Sequence, residues 1–141
     1  MGDIVGWCNI LFASSSANPL YNGAKLYFDN ELVTSLSIPK TITEIKEHAF
    51  YNCSSLESVL IPNSVITIGD YAFSGCSNLT TVVIPHSVKI VDSFAFEDCD
   101  RLKELNFEGT KAKWNLLKKS LSWRRGSSIE RIICTDGIIE L

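Results

Sequence analysis

Much of what would mark an enzyme, a membrane protein or a nucleic-acid binder is scarce in this 141-residue chain. Charged residues make up 21% and the net charge is −3, too balanced for general nucleic-acid binding and too apolar a background for disorder. No apolar run approaches the ~18–20 residues of a membrane span, so membrane insertion is not expected. The start, MGDIVGWCNILF, has no basic n-region of a secretory signal, and Gly6 stands where a myristoylation motif after Gly2 needs Ser or Thr. There are only two histidines, His48 and His86, with no Gly-rich phosphate loop, no G-x-S-x-G elbow and no H-E-x-x-H pair. Serines are many, but none has a base in a recognisable frame. Five cysteines form no C-x-x-C, and their odd count leaves a thiol over. No catalytic residue, metal site or cofactor is therefore expected. The triplets at Asn52 and Asn78 match a glycosylation acceptor but overlap core positions.

What is present is a 23-residue unit repeated three times without a gap: Ile38–Leu60, Ile61–Val83 and Ile84–Asn106. A strict period predicts a solenoid whose coils stack on their neighbours. Ile42/Val65/Val88, Ile45/Ile68/Val91, Ala49/Ala72/Ala95, Phe50/Phe73/Phe96, Cys53/Cys76/Cys99 and Leu56/Leu79/Leu102 become ladders of like side chains in the core. Leu-x-x-Val-x-Ile-Pro has the inward spacing of a leucine-rich-repeat strand, and stacking makes its sheet parallel. Pro39, Pro62 and Pro85 end these strands, because proline cannot donate to a ladder. The Val-x-x-Ile stretch predicts a second short extended segment. Asp70-Tyr-Ala-Phe and its equivalents predict a brief helical turn, although Glu47 and Ser93 replace the capping Asp elsewhere. The ladder cysteines read as small reduced hydrophobes, and Cys8 and Cys134 as the reactive pair to check.

The ends resemble one another at an offset of 107: Gly2-Asp3 with Trp7 against Gly109-Thr110 with Trp114. Asp3 and Thr110 are N-cap candidates for short amphipathic helices. Solenoid ends expose core, so both read as capping units, with Trp7 and Trp114 as apolar cover. Trp123, flanked by Ser122 and Arg124-Arg125, reads either as cover or as an exposed carbohydrate platform. The expectation is a single α/β solenoid domain over 1–141: a right-handed coil stack with parallel strands and brief helical turns. Residues 1–37 form an N-terminal cap, 38–106 the repeats and 107–141 a C-terminal cap.

The pattern I-P-x-S-V-x-x-I-x-x-x-A-F-x-x-C-x-x-L over Ile38–Phe107 resembles the BspA-type leucine-rich repeat. Gly109-Thr-Lys-Ala-Lys-Trp114 with Cys134-Thr-Asp-Gly137 is similar to the C-terminal unit of bacterial members. Trp7-Cys8, Asn18-Pro-Leu-Tyr21 and Leu26-Tyr27 are similar to a unit found between repeat blocks. The resemblance implies a surface or secreted bacterial protein, some members being adhesins for host extracellular-matrix or plasma proteins. The chain is short beside that pattern and shows no signal or anchor, so it reads as a fragment of a longer protein or as a minimal member. Its localisation stays open between those two.

Residues between the inward strand positions point outward. They form three columns: Thr34/Glu57/Thr80/Lys103, Ser35/Ser58/Thr81/Glu104 and Ser37/Leu60/Val83/Asn106. This face reads as a flat protein-binding surface or as a merely solvated one. A second candidate is the basic end. Residues 101–131 hold nine of the 13 basic residues against three acids, and Lys118, Lys119, Trp123, Arg124 and Arg125 form a possible patch. The functional expectation is a non-catalytic, adhesin-like protein-interaction module. The alternatives are a structural spacer and a carbohydrate-binding module using the cap tryptophans.

Overall fold

The computed structural model describes residues 3–141; Met1 and Gly2, with the N-terminal motif read on them, lie outside the described residues. The chain runs α1 (Ile4–Cys8), two short 3-10 turns (Ser15–Ala17 and Pro19–Asn22), and then β1 (Tyr27–Phe28) and β2 (Glu31–Leu32). Next come β3 (Ser35–Ser37), β4 (Glu44–Ile45), β5 (Ser58–Leu60), β6 (Thr67–Ile68), β7 (Thr81–Pro85), β8 (Ile90–Val91) and β9 (Glu104–Glu108). It closes with α2 (Lys111–Leu116), β10 (Lys118–Lys119), β11 (Arg131–Cys134) and β12 (Gly137–Glu140).

Each coil gives one strand to each of two sheets. The larger has the order β12-β11-β9-β7-β5-β3, and the smaller β10-β8-β6-β4. All neighbours in both are parallel except the terminal β11–β12 hairpin. The register is the repeat itself: Ser35, Ser58 and Thr81 pair in turn, as do Glu44, Thr67 and Ile90. The result is a β-solenoid of about four turns with few helices. β7 runs on to Pro85, which faces Glu108 in the register, so this proline closes its strand from within.

In place of the expected helical turn each coil has a run of tight turns, in which Ala49, Tyr51 and Cys53 donate to the carbonyl three residues back and the amides between them do not. Alternate amides in this segment donate to the next coil: His48 to Asp70 O (2.9 Å), Phe50 to Ala72 O (2.8 Å) and Asn52 to Ser74 O (2.7 Å). The same three bonds recur from Tyr71, Phe73 and Gly75 to Ser93, Ala95 and Glu97. Donors spent between coils are lost to any helical turn. The backbone reaches this geometry through left-handed residues at two repeat positions. One is His48, Tyr71 and Phe94 (φ 58°, 55°, 58°); the other is Asn52, Gly75 and Asp98 (φ 57°, 73°, 51°). Asn, Gly and Asp tolerate that region, whereas the aromatic residues adopt it at a cost borne by the ladder. Asp70 caps nothing local: its Oδ1 accepts from Ser93 N of the next coil (2.8 Å). The helices that do form, α1 and α2, lie in the terminal units. The α/β description therefore gives way to a β-solenoid.

The core is the set of stacked columns. Phe50, Phe73 and Phe96 are buried, with successive ring centroids 5.4 Å apart and nearly parallel planes. All five cysteines are free and buried. The Cys76 thiol donates to Phe50 O (3.2 Å) and that of Cys99 to Phe73 O (3.3 Å), so the column also satisfies carbonyls of the preceding coil. Burial raises Cys8 to about 11 and Cys99 to about 12. Cys134 is raised too, again chiefly by burial. Cys8 and Cys134 are thus not a reactive pair: both thiols are shielded and disfavour the thiolate, the nucleophilic form.

Both terminal helices carry the expected N-caps. Asp3 Oδ1 accepts from Gly6 N (2.7 Å), and Thr110 Oγ1 from Lys113 N (3.3 Å). Trp7 Nε1 donates to Ala49 O (2.8 Å), and Asn18 Nδ2 to His48 O (2.7 Å). Ala72 and Ala95 accept at the equivalent carbonyl from a coil backbone. At the other end, Phe94, Phe96 and Asp98 donate to Ser122, Trp123 and Arg125. Lys118 pairs with Ile90 and Arg131 with Glu104, so the strand ladders continue into a longer last coil containing α2.

Candidate interaction surfaces

Along the larger sheet, parallel register turns the three outward columns into rows across the coils. Thr34, Ser35, Ser37, Glu57, Leu60, Thr80, Thr81 and Lys103 are exposed; Ser58, Val83, Glu104 and Asn106 are half-buried. Backbone bonds hold the first column in place, from Glu57 N to Thr34 O (2.7 Å) and from Thr80 N to Glu57 O (2.9 Å). Ser58 Oγ donates to Ser35 Oγ (2.9 Å), which fixes two hydroxyls of the second column. Leu60 is the apolar protrusion, 49% exposed. Beside it, Ser37, Leu60, Lys40, Asn63 and Glu108 border an open groove of about 520 Å³.

The rows go one coil further than the repeat predicts. Arg131 extends the Ser35 column and ion-pairs with Glu104, and Ile133 extends the Ser37 column. These two were hidden because the last coil departs from the 23-residue period. Alternation in Arg-Ile-Ile-Cys beside a turn at Asp136-Gly137 is the signal that marks it.

The basic end does not assemble as a patch. Trp123 is 7% exposed, wedged against Phe96 (6.1 Å) and Trp114 (5.9 Å), where it prolongs the phenylalanine column. Lys119 Nζ donates to Trp114 O (2.7 Å) and Leu117 O (3.2 Å), and lies 5.0 Å from the Trp114 ring centroid. Burial lowers its pKa. Arg124 donates to Ile129 O (2.9 Å). Lys118 and Arg125 stay exposed. Two of the four cations thus satisfy the chain's own carbonyls, and the indole is core. A carbohydrate platform at Trp123 is ruled out by that burial, and Trp114 is buried as well.

A third surface escapes the sequence reading. His48, Tyr71 and Phe94 share one repeat position, and their rings stack along the solenoid: His48 on Tyr71 at 5.2 Å, Tyr71 on Phe94 at 4.7 Å. Tyr51 meets His48 and Tyr71 edge-on. The signal was an aromatic ring in the same place in all three units, masked by the change of residue type. His86, by contrast, is an exposed turn residue. Among the described residues no three His, Cys, Asp or Glu side chains gather as metal ligands, and no helix is long and apolar enough to cross a membrane.

A family profile described as the BspA type leucine rich repeat region matches residues 24–137 in six copies. A leucine-rich repeat protein from Bacteroides capillosus superposes with TM-score 0.60 and 27% identity, over 72% of this chain and 76% of that one. One from Bacteroides ovatus is 34% identical with TM-score 0.51, over 71% of this chain and 31% of that one. The T. pallidum leucine rich repeat protein shares the fold at 22% identity and TM-score 0.55, over 71% of this chain. The chain spans 58% of that T. pallidum protein. No curated protein matches the chain.

Proposed function

The chain belongs to the BspA-type leucine-rich repeat family, and we propose that it is a protein-interaction module whose binding surface is the outward face of the larger sheet. Leucine-rich repeat proteins are generally non-catalytic interaction scaffolds, and this family is typically surface-associated in bacteria. The observation that carries the reading is the set of aligned rows from Thr34 to Asn106. They are held rigid by the ladder and open to solvent beside the groove under Leu60. A rigid face lowers the ordering cost of binding. The partner is a protein, in the adhesin-like reading a host extracellular-matrix or plasma protein, met at the cell surface or after secretion.

In this proposal residues 1–37 and 107–141 serve as caps around the 38–106 repeats within one domain. The bonds from Trp7 and Asn18 to coil carbonyls support the first cap, and the Trp114–Trp123 contact supports the second. A structural spacer is the competing reading. It is favoured by the Ser/Thr content of the face, where Arg131, the one arginine in its rows, is already paired with Glu104. The test is capture on a panel of immobilised extracellular-matrix and plasma proteins, comparing the chain with a variant carrying alanine at Glu57, Leu60, Thr80 and Val83. Loss of capture with an unchanged circular dichroism spectrum supports the face. Capture unaltered by the four changes removes it.

A further inference from the structure

The ring stack His48–Tyr71–Phe94 ends differently at its two ends, and the difference points to a ligand. At the C-terminal end the Arg125 guanidinium lies 5.9 Å from the Phe94 ring centroid, within cation–π reach. At the other end, His48, Tyr51 and Tyr71 border an open cleft of about 460 Å³ together with Glu47, Ser14 and Ser15. Among the described residues no Lys or Arg lines this cleft. Glu47 is its acidic lining residue. Burial first, and then Tyr21, Glu97, Tyr71 and Asp98, raise the Tyr51 phenol above its ordinary pKa.

The polar atoms at the cleft ask for a donor. His48 is 6% exposed, and its Nδ1 is buried without a hydrogen-bond partner. Glu47 Oε1 lies 3.4 Å from that nitrogen, on a side chain that is 56% exposed. Taken with its proton on Nε2, the imidazole presents Nδ1 as an acceptor beside the Glu47 carboxylate. A buried acceptor left unpaired is costly, and a partner that satisfies it recovers that cost. An ammonium is a point charge, whereas a guanidinium presents a planar fork of N–H donors and lies well against aromatic rings.

We propose that this cleft binds an arginine side chain of a partner protein, its guanidinium donating to Glu47 and His48 Nδ1 and lying beside Tyr51. The Glu47 carboxylate covers Nδ1 and swings aside to admit the fork. This site is separate from the sheet face and does not depend on it.

The probe is the blocked tripeptide acetyl-Gly-Arg-Gly-amide, titrated into the full chain labelled with nitrogen-15. Its citrulline counterpart keeps the shape and removes the charge. The expected result is saturating shifts confined to the amides of Glu47, His48, Tyr51 and Tyr71. Citrulline should bind about tenfold more weakly, and so should the arginine peptide to Glu47→Gln, as loss of one charge-assisted contact implies. Glu47 is exposed, so that variant keeps the fold, checked by an otherwise unchanged spectrum. No localised shift at about 10 mM peptide overturns the proposal. Equal binding by citrulline or by Glu47→Gln does so too. Shifts at these residues caused by a chitin oligosaccharide and not by the peptide would make the cleft a sugar site instead.

Discussion

The three 23-residue coils and the two terminal units meet the same requirement by different chemistry. In the middle, alternate amides of the turn segment find their acceptors one repeat away, and the core columns meet their own kind. At the N-terminal end no coil supplies the donor to Ala49 O, and the side chains of Trp7 and Asn18 do so instead. At the C-terminal end a longer coil keeps the ladder but exchanges the phenylalanine column for Trp123 and Trp114. Repetition therefore defines the frame cheaply in sequence terms, while closing it takes individual residues with no period to announce them.

The comparison predicts unequal damage. Phe73→Ala empties the centre of a ladder packed on both faces and should cost about 3–5 kcal/mol, read as a lower urea midpoint. A loss below about 1 kcal/mol would mean that the coils collapse around the gap and that the stack is less rigid than described. Alkaline pH should strike the middle next. Burial lifts the Cys99 thiol from its ordinary 9.0 to about 12, and Cys76 well above 9.0. The unfolded chain releases these protons first, so the folded state binds more of them between the two values. Stability is complete below pH 9.0 and falls as pH rises toward about 12, by roughly 1.4 kcal/mol per pH unit for each thiol. Equilibrium unfolding across that range checks it, and Cys99→Ala should flatten the slope.

A smaller effect is expected where a side chain stands in for a coil. Trp7→Phe keeps the apolar cover and leaves Ala49 O only the long bond from Asn18 Nδ2 (3.4 Å), at a cost of about 1 kcal/mol. Hydrogen exchange should quicken in the first coil while the amides of Tyr71 and Phe73 stay slow. Smallest of all, Thr80→Ala and Leu60→Ala on the open face should leave the urea midpoint within about 0.5 kcal/mol of the native chain. A larger loss would show that the face supports the fold rather than serving a partner.

How much of this is visible in the residues follows the same division. The Phe, Cys and Leu columns are legible because one side chain recurs at one spacing, and the strand rows follow from them. The turn is not, because Ala-Phe at the right spacing reads equally as a helix. Only the competition for amides between His48 and Asp70, and their equivalents, excludes it. Trp123 misleads through its neighbours: Ser122, Arg124 and Arg125 suggest a surface, yet the indole is core. Lys119 and Arg124 look like a charged patch because sequence shows the charge and not the carbonyl each one meets. The ring stack is missed because His, Tyr and Phe differ as letters while sharing a shape.

The coils bond to each other through the turn segment, and the last unit acts as a coil in its own right. Residue-resolved hydrogen exchange of three amide sets tests this most directly: His48, Phe50 and Asn52; Tyr71, Phe73 and Gly75; Phe94, Phe96 and Asp98. All three donate to the following coil, the last set to Ser122, Trp123 and Arg125. The predicted result is slow exchange of all three sets, with Trp123→Ala releasing the third set alone. Fast exchange of the third set in the native chain, or of all three at the rates of exposed turns, would contradict it.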